Sequence, residues 1–261
     1  MPEDAAWYAR RWLPLTVQFL EPLIEQLWVS PGDRLLDVAC GPGALVAQLS
    51  PLAGPFGRIV GLDRSIQMLA AGARLARRHS LGNVRFVQGT MYRLPLRAGG
   101  FDAATCSFGF GSAADAGPVL AELRRVLVAG GRVGVLVTGA AERSPGWGLL
   151  LAALARHGLA SGREEGFEAV APDVARTWLR QAGFERVETV VLTRELRRLD
   201  FDDLWADVLA GRMPGTRLYR AQPAQTQAGL RAELHEWVEQ FRDGTRLLLP
   251  VEAVLAWGAA P

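Results

Sequence analysis

The sequence predicts an α/β fold built on a mostly parallel sheet, and three observations support this. Short apolar runs alternate with segments of helical period from Leu35 to Thr138, which is the pattern of βαβ units. A glycine-rich turn follows the first run, and no internal repeat or long linker interrupts the series. Seven strands are predicted, over residues 34–39, 58–62, 84–88, 101–107, 131–138, 186–193 and 246–257.

The length and composition fit one main domain that carries insertions. The chain has 261 residues, of which 49% are hydrophobic, so it can bury a full core. We expect residues 1–139, 170–200 and 244–261 to form that core, including a helical lead-in before the first strand. Residues 140–169 and 201–243 are then helical insertions that form a substrate cap.

The distribution of charge and the length of the apolar runs argue against nucleic acid and membrane as binding partners. The net charge is +2 and its arginines are spread among acidic residues, which does not favour nucleic-acid binding. No apolar run approaches the roughly 20 residues of a membrane span, and the N-terminus lacks the pattern of a secretory signal. We therefore expect a cytoplasmic protein. Cys40 and Cys106 lie in apolar segments, so we interpret them as buried thiols, with no disulfide and no metal site.

Several local predictions can be compared directly with a structure. Ile66, Leu69, Ala70, Ala73 and Ala76 fall on one stripe, which predicts the buried face of a helix. The next helix is predicted to continue through Leu127 and to end at the glycines 130–131, with Glu122 and Arg125 as a surface pair. Residues 200–243 read as helical, and the last strand as bent or interrupted at Pro250.

The turn from Asp37 to Gly43 is the most informative segment. A strand runs into Gly41-Pro-Gly43 and then into a helix, so a ligand can approach the backbone closely and meet free N–H groups. The dinucleotide fingerprint requires a third glycine where this chain has Val46. A nicotinamide site is therefore disfavoured.

These residues resemble motif I of the class I S-adenosylmethionine (SAM) methyltransferases. The resemblance continues with Asp63 after the second strand, Val87–Met91 after the third, Cys106–Phe110 after the fourth, and the run from Glu122 to Arg132. It is greatest to the branch that includes the ubiquinone and menaquinone C-methyltransferases. The resemblance implies a Rossmann-like, seven-stranded sheet with helices on both faces, an antiparallel last strand, and SAM as cofactor.

The resemblance also implies which residues contact SAM. Asp63 would hold the ribose hydroxyls, Met68 would pack on the adenine, and Thr90 replaces the family's usual aspartate beside the adenine amino group. A hydroxyl can still accept that hydrogen bond. The implied cofactor residues are Asp37, Ala39, Cys40, Gly41, Gly43, Asp63, Arg64, Met68, Gly89, Thr90, Met91 and Ser107.

The predicted reaction is methyl transfer to a small, partly apolar acceptor by in-line displacement, and no catalytic residue is assigned. The quinone branch usually has an Arg-Asn pair where this chain has Gly111 and Ser112, so the acceptor stays open. Aromatic side chains are the candidates for its pocket: Trp7, Tyr8, Trp12, Phe108, Phe110, Trp147 and Tyr219.

Two other functions remain open on the sequence. One is a non-catalytic module that binds SAM or another nucleotide, and the other is an NAD-dependent oxidoreductase, against which the missing third glycine argues. The state of assembly is also open, with a homodimer as one alternative.

Overall fold

The computed structural model describes residues 5–160, 169–211 and 213–261. The chain forms two compact units. The first comprises Met1–Val137, Pro172–Val190 and Val254–Pro261, and the second comprises Thr138–Ala171 and Val191–Ala253. The assignment of the insertions to a substrate cap stays a prediction.

The strands are β1 Arg34–Val38, β2 Arg58–Asp63, β3 Val84–Gln88, β4 Phe101–Ser107, β5 Leu127–Thr138, β6 Glu185–Arg198, β7 Arg242–Asp243 and β8 Arg246–Ala259. The sheet has the order β3-β2-β1-β4-β5-β8-β6, and β7 pairs with β8. Neighbours from β3 through β5 are parallel, whereas β7 and β8 are antiparallel. The predicted α/β class is confirmed, but the sheet has eight strands within the described ranges instead of the predicted seven, because the two-residue β7 gives no pattern of its own.

Helices connect these strands. The lead-in consists of α1 Ala5–Arg11, α2 Leu13–Thr16 and α3 Leu20–Leu27. The crossovers of the first unit are α4 Ala44–Ala53, α5 Ile66–Arg78, α6 Ala113–Val126 and α8 Pro172–Gln181; the second unit contains α7 Pro145–Arg156, α9 Phe201–Leu209, α10 Thr216–Arg220 and α11 Ala224–Glu239. None of the helices in the described residues is long and apolar enough to cross a membrane.

The predicted face of α5 is wrong in part, because Leu69 is buried as predicted but Ile66 and Ala70 are exposed. Ile66 is 62% exposed, whereas Met68, Leu69 and Gly72 are buried. The reason lies in the sheet beneath the helix, because the Phe86 ring packs where a side chain at Gly72 would stand. Apolar periodicity does not register a buried glycine, so the sequence pattern selected a neighbouring face.

Three element boundaries also differ from prediction. The fifth strand begins at Leu127, since α6 ends at Val126, whose carbonyl accepts a hydrogen bond from Gly100 N–H at 2.8 Å. The last strand runs through Pro250 without interruption. Residues 200–243 form three helices and then β7, which turns back into β8 at Gly244, where φ is 55°.

The second unit packs its helices around an aromatic cluster. Phe201 stacks on Trp205 with centroids 5.3 Å apart, and Trp205 meets Tyr219 edge to face at 5.4 Å. Arg198 and Asp207 form an ion pair at 3.0 Å with side chains 5% and 1% exposed. Removal of one partner would leave the other charge buried without its counter-ion and would strongly destabilise the fold. The ion pair therefore fixes the junction of β6 and α9.

Candidate functional site

The turn after β1 forms the floor of the candidate site. Ala39, Gly41 and Gly43 all have positive φ, at 57°, 54° and 83°. Cys40 N–H donates to the Leu62 carbonyl at 3.0 Å, which ties the turn to β2. A Cβ added to Gly41 would meet no atom within 4 Å, so the backbone there borders open space. A ligand can therefore approach this turn closely.

Asp63 links the end of β2 to that turn. One carboxylate oxygen accepts from Gly41 N–H at 2.9 Å and the other from Ser65 N–H at 2.8 Å. Each oxygen keeps a further lone pair for a ligand hydroxyl. The Asp63 side chain thus points at the glycine turn. A carboxylate that binds a sugar next to this turn would need the same orientation.

The adjoining residues lie at the same edge of the sheet. Gln88 donates from Nε2 to the Arg64 carbonyl at 3.1 Å, and Gly89 N–H donates to the Asp63 carbonyl at 3.1 Å. Met68 is buried, Met91 is half-buried and Thr90 is exposed. The predicted adenine contacts therefore come together around the end of β2.

Asp37 is buried in the middle of the sheet. It is 2% exposed, and its Oδ1 accepts from the Thr105 hydroxyl at 2.9 Å. Burial raises the pKa of Asp37 to about 7; the Thr105 hydrogen bond opposes this and the charge of Asp63 adds to it. Burial likewise raises the pKa of Cys40 and of Cys106, so both are neutral thiols, as expected.

The end of β4 completes the edge. Ser107 Oγ is buried and has no hydrogen-bond partner in the part of the chain that the structure describes. Phe108 follows with φ of 55°, and a Cβ on Gly109 would lie 2.7 Å from the Ala39 Cβ. The loop after β4 is thereby packed against the turn after β1. A buried hydroxyl without a partner is uncommon and is satisfied when a ligand supplies one.

Phe86 was missed by the sequence analysis although it supports the site. Its ring would lie 3.1 Å from a Cβ on Gly43, 3.0 Å from one on Gly61 and 2.7 Å from one on Gly72. Three glycines from separate elements thus make room for one ring under the turn. Only their placement in the fold reveals this, since the glycines are far apart in the sequence.

The pair Glu122 and Arg125 was also misjudged, because it is more than a helix-surface pair. Glu122 accepts a hydrogen bond from Leu94 N–H, and Arg125 donates to the Leu94 and Leu96 carbonyls. The two side chains therefore attach the loop between β3 and β4 to α6.

Five of the proposed pocket aromatics lie in the first unit. Trp7 and Trp12 have centroids 6.3 Å apart, and Tyr8 shares a hydrogen bond of 3.2 Å with Thr16. Burial raises the pKa of Tyr8, and the nearby charges of Asp63 and Asp37 raise it further. Helix α1 thus carries a buried hydroxyl whose ionisation is opposed by the charges of the two acids.

The remaining aromatics pack in two places. In the first unit, Phe108 lies edge to face with Phe19 at 5.6 Å, and Phe110 lies 6.3 Å from Trp178. In the second unit, Trp147 is buried, and Tyr219 donates its hydroxyl to the Gln227 carbonyl at 3.3 Å. A role in a substrate pocket stays a prediction for all seven aromatics.

The architecture is that of the class I, Rossmann-like methyltransferases. It matches a crystal structure of a candidate methyltransferase from Bacillus halodurans with a TM-score of 0.62 at 19% identity, over 94% of this chain and 99% of that one. It also matches the crystal structure of the 4+2 cyclase SpnF with a TM-score of 0.57 at 20% identity, over 95% and 83%. These likenesses establish the fold.

The sequence comparison is more specific over the first half of the chain. Residues 20–145 match the ubiE/COQ5 methyltransferase family. A demethylmenaquinone methyltransferase of Geobacillus kaustophilus (strain HTA426) is 34% identical over 122 residues, 47% of this chain and 52% of that protein. The match spans about half the length of the curated relatives. The resemblance to the ubiquinone and menaquinone methyltransferase branch is confirmed over this stretch.

Proposed function

We propose that the protein is a SAM-dependent methyltransferase that acts on a small-molecule acceptor. The observation that carries the proposal is the bond from Gly41 N–H to the Asp63 carboxylate beside open space at the turn. The contact supports a ribose site there, because it holds a carboxylate next to backbone that a ligand can approach. The match of residues 20–145 to a methyltransferase family supports the same function.

The residues present fit SAM. The open space at Gly41 would admit its amino-acid end, Asp63 would accept from the ribose hydroxyls, and the unpartnered Ser107 Oγ would gain a partner. The adenine side would be formed by Met68 and by the loop that holds Gly89, Thr90 and Met91. Asp37, Ala39, Cys40, Gly43 and Arg64 would complete the binding site as supports of the turn and of the end of β2.

When bound, SAM supplies a methyl group already activated by the positive sulfonium. The chain then has to hold the acceptor in line with that methyl group and exclude water, which can supply on the order of 7 to 11 kcal/mol. No residue is assigned as a general base, which only an acceptor that must lose a proton would require.

For the acceptor we propose a small, partly apolar molecule, with a quinone-type ring as the first to test. The name of the Geobacillus relative supports the quinone class. Two features argue that the acceptor differs in detail from those of the quinone branch. Gly111 and Ser112 replace the Arg-Asn pair of that branch, and residues after 145 lie outside the family match.

A second function on the same fold is favoured by one observation, the likeness to a 4+2 cyclase. One fold can host unrelated reactions, so the site must decide. A protein that binds SAM but never consumes it would be a binding module or an enzyme of another class.

Two measurements test the proposal. Calorimetry with SAM, S-adenosylhomocysteine and NAD should show binding of the first two and not of NAD. A labelled-methyl screen with quinone-type and other small acceptors should then show transfer by the wild type and by Asp243→Ala, an exposed control, but far less by Asp63→Ala. Binding of NAD alone, or SAM binding with no transfer to any acceptor, would overturn the methyltransferase assignment.

A further inference from the structure

The loop of residues 89–96 carries three of the proposed adenine contacts and doubles back on itself. Thr90 and Arg93 form an isolated antiparallel bridge, and Arg93 N–H donates to the Thr90 carbonyl at 3.4 Å. A Cβ on Gly89 would lie 3.1 Å from Pro95, so the two ends of the loop are in close approach. Apart from that bridge the loop contains no helix or strand, so contacts from neighbouring elements help to fix its conformation.

Helix α6 provides that fixation through one ion pair. Glu122 accepts from Leu94 N–H at 2.6 Å, and Arg125 donates to the Leu94 carbonyl at 3.1 Å and to the Leu96 carbonyl at 2.8 Å. Arg125 also donates twice to Glu122, at 2.6 and 2.7 Å. Two side chains thus hold three backbone groups of the loop. The bonds between Glu122 and Arg125 also fix the orientation of each side chain.

A second attachment lies one loop residue before the bridge partner Arg93. The Tyr92 hydroxyl donates to Asp115 Oδ1 at 2.7 Å, and Ser112 Oγ donates to Asp115 Oδ2 at 2.8 Å. Ser112 is also the N-cap of α6 and accepts from Asp115 N–H at 3.3 Å. The first turn of α6 therefore holds the tip of the loop, while a later turn holds its return.

Helix α6 is a suitable scaffold for this task. Its inner face, formed by Val119, Leu120, Leu123 and Val126, is fully buried. Because the helix is rigidly packed, the side chains on its outer face have fixed positions. A binding loop that is already held in its bound conformation loses less entropy when the ligand binds.

We propose that Glu122, Arg125 and Asp115 are positioning residues that hold the loop 89–96 in the conformation that binds the adenosine end of SAM. The inference rests on the proposed function. None of the three residues needs to touch the cofactor. Their effect is on affinity for the cofactor, and the transfer step itself is independent of them once SAM is bound.

The test compares SAM affinity and steady-state kinetics across variants. Glu122→Ala should weaken binding of SAM and of adenosine by the same factor, about tenfold, because both ligands use the adenine side. The KM for SAM should rise while kcat at saturating SAM stays unchanged. Arg125→Lys should behave like a loss, since an ammonium keeps the charge but cannot bond Glu122 and two carbonyls in the planar fork. Tyr92→Phe, an exposed change that folding tolerates, should weaken SAM binding severalfold.

The pair Glu239 and Arg242 supplies the matched control, because it has the same spacing and ion-pair geometry but lies outside this loop. Glu239→Ala should leave SAM affinity unchanged. Three results would each overturn the inference: unchanged SAM affinity in folded Glu122→Ala and Tyr92→Phe, wild-type SAM affinity in Arg125→Lys, or a fall in kcat with an unchanged KM for SAM. A wild type that binds no SAM would overturn the proposed function as well, whereas wild-type binding with unaffected variants overturns the positioning role alone.

Discussion

The carboxylate of Asp63 accepts a hydrogen bond from the Gly41 N–H at 2.9 Å. This one contact joins the ends of two neighbouring parallel strands and sets an acid beside the glycine turn. In an open parallel sheet, ligands bind at this edge, outside the carboxyl ends of the strands. The contact also means that Asp63 has a structural role in addition to the proposed contact with the sugar.

Replacement of Asp63 by alanine should weaken SAM binding by roughly 1.5 to 3 kcal/mol, because charged hydrogen-bond acceptors for the ribose are lost. Titration calorimetry measures this. Asp63→Asn is the companion variant, since its remaining oxygen can still accept from Gly41 N–H and keep the turn in place. Equal SAM affinity in wild type and in both folded variants would contradict the ribose assignment.

Ser107→Ala should have opposite effects on the free and the liganded protein. The Oγ is buried without a partner among the described residues, so its removal should leave the unliganded protein as stable or more stable. If SAM supplies the partner, its affinity should fall by about 0.5 to 1.5 kcal/mol. Thermal unfolding with and without SAM checks both. A loss of stability in the absence of ligand would show that the hydroxyl is already satisfied.

Asp37 should make stability depend on pH. Its pKa is raised by burial from 3.8 to about 7 in the folded protein. Between these values the folded state binds more protons than the unfolded state, so the free energy of unfolding should fall as pH rises from about 4 to about 7 and then level off. Each unit of difference in pKa corresponds to about 1.4 kcal/mol.

The measurement is the difference in unfolding free energy between wild type and Asp37→Asn across that range. Asparagine can still accept from the Thr105 hydroxyl, so the variant isolates the charge. The variant should gain on the wild type as pH rises. A difference that does not change with pH would show that Asp37 does not titrate there.

Gly72→Ala should destabilise the fold although alanine is the better helix former. The new Cβ would lie 2.7 Å from the Phe86 ring, and overpacking of this kind costs about 1 to 3 kcal/mol, more than the gain of about 1 kcal/mol in helix propensity. Denaturant unfolding measures the net change. Gly117→Ala in α6 is the control, since its Cβ would meet open space and should stabilise. Addition of Phe86→Leu to Gly72→Ala should relieve the clash; no relief would mean that the ring is not the cause.

Much of the fold follows from local pattern. The strands around Asp37, Ile59 and Cys106 are apolar runs of the right length. Gly41 and Gly43 mark a turn at which a ligand can approach the backbone closely. The motifs at Asp63 and at Gly89 could be placed at one edge of the sheet because parallel strands present their carboxyl ends together. Their mutual hydrogen bonds could not be predicted, since these depend on the register between strands.

The sequence by itself determined the α/β class, the order of the motifs and the acids and glycines at the ends of the strands, because these depend on short-range spacing. Only the tertiary structure decided that Phe86 fills a space left by three glycines, that Ser107 has a buried hydroxyl without a described partner, and that Glu122 and Arg125 hold a loop nearly 30 residues away in the chain. The physical reason is that packing, burial and hydrogen bonding join residues that are distant in sequence, and periodicity carries no signal about such pairs.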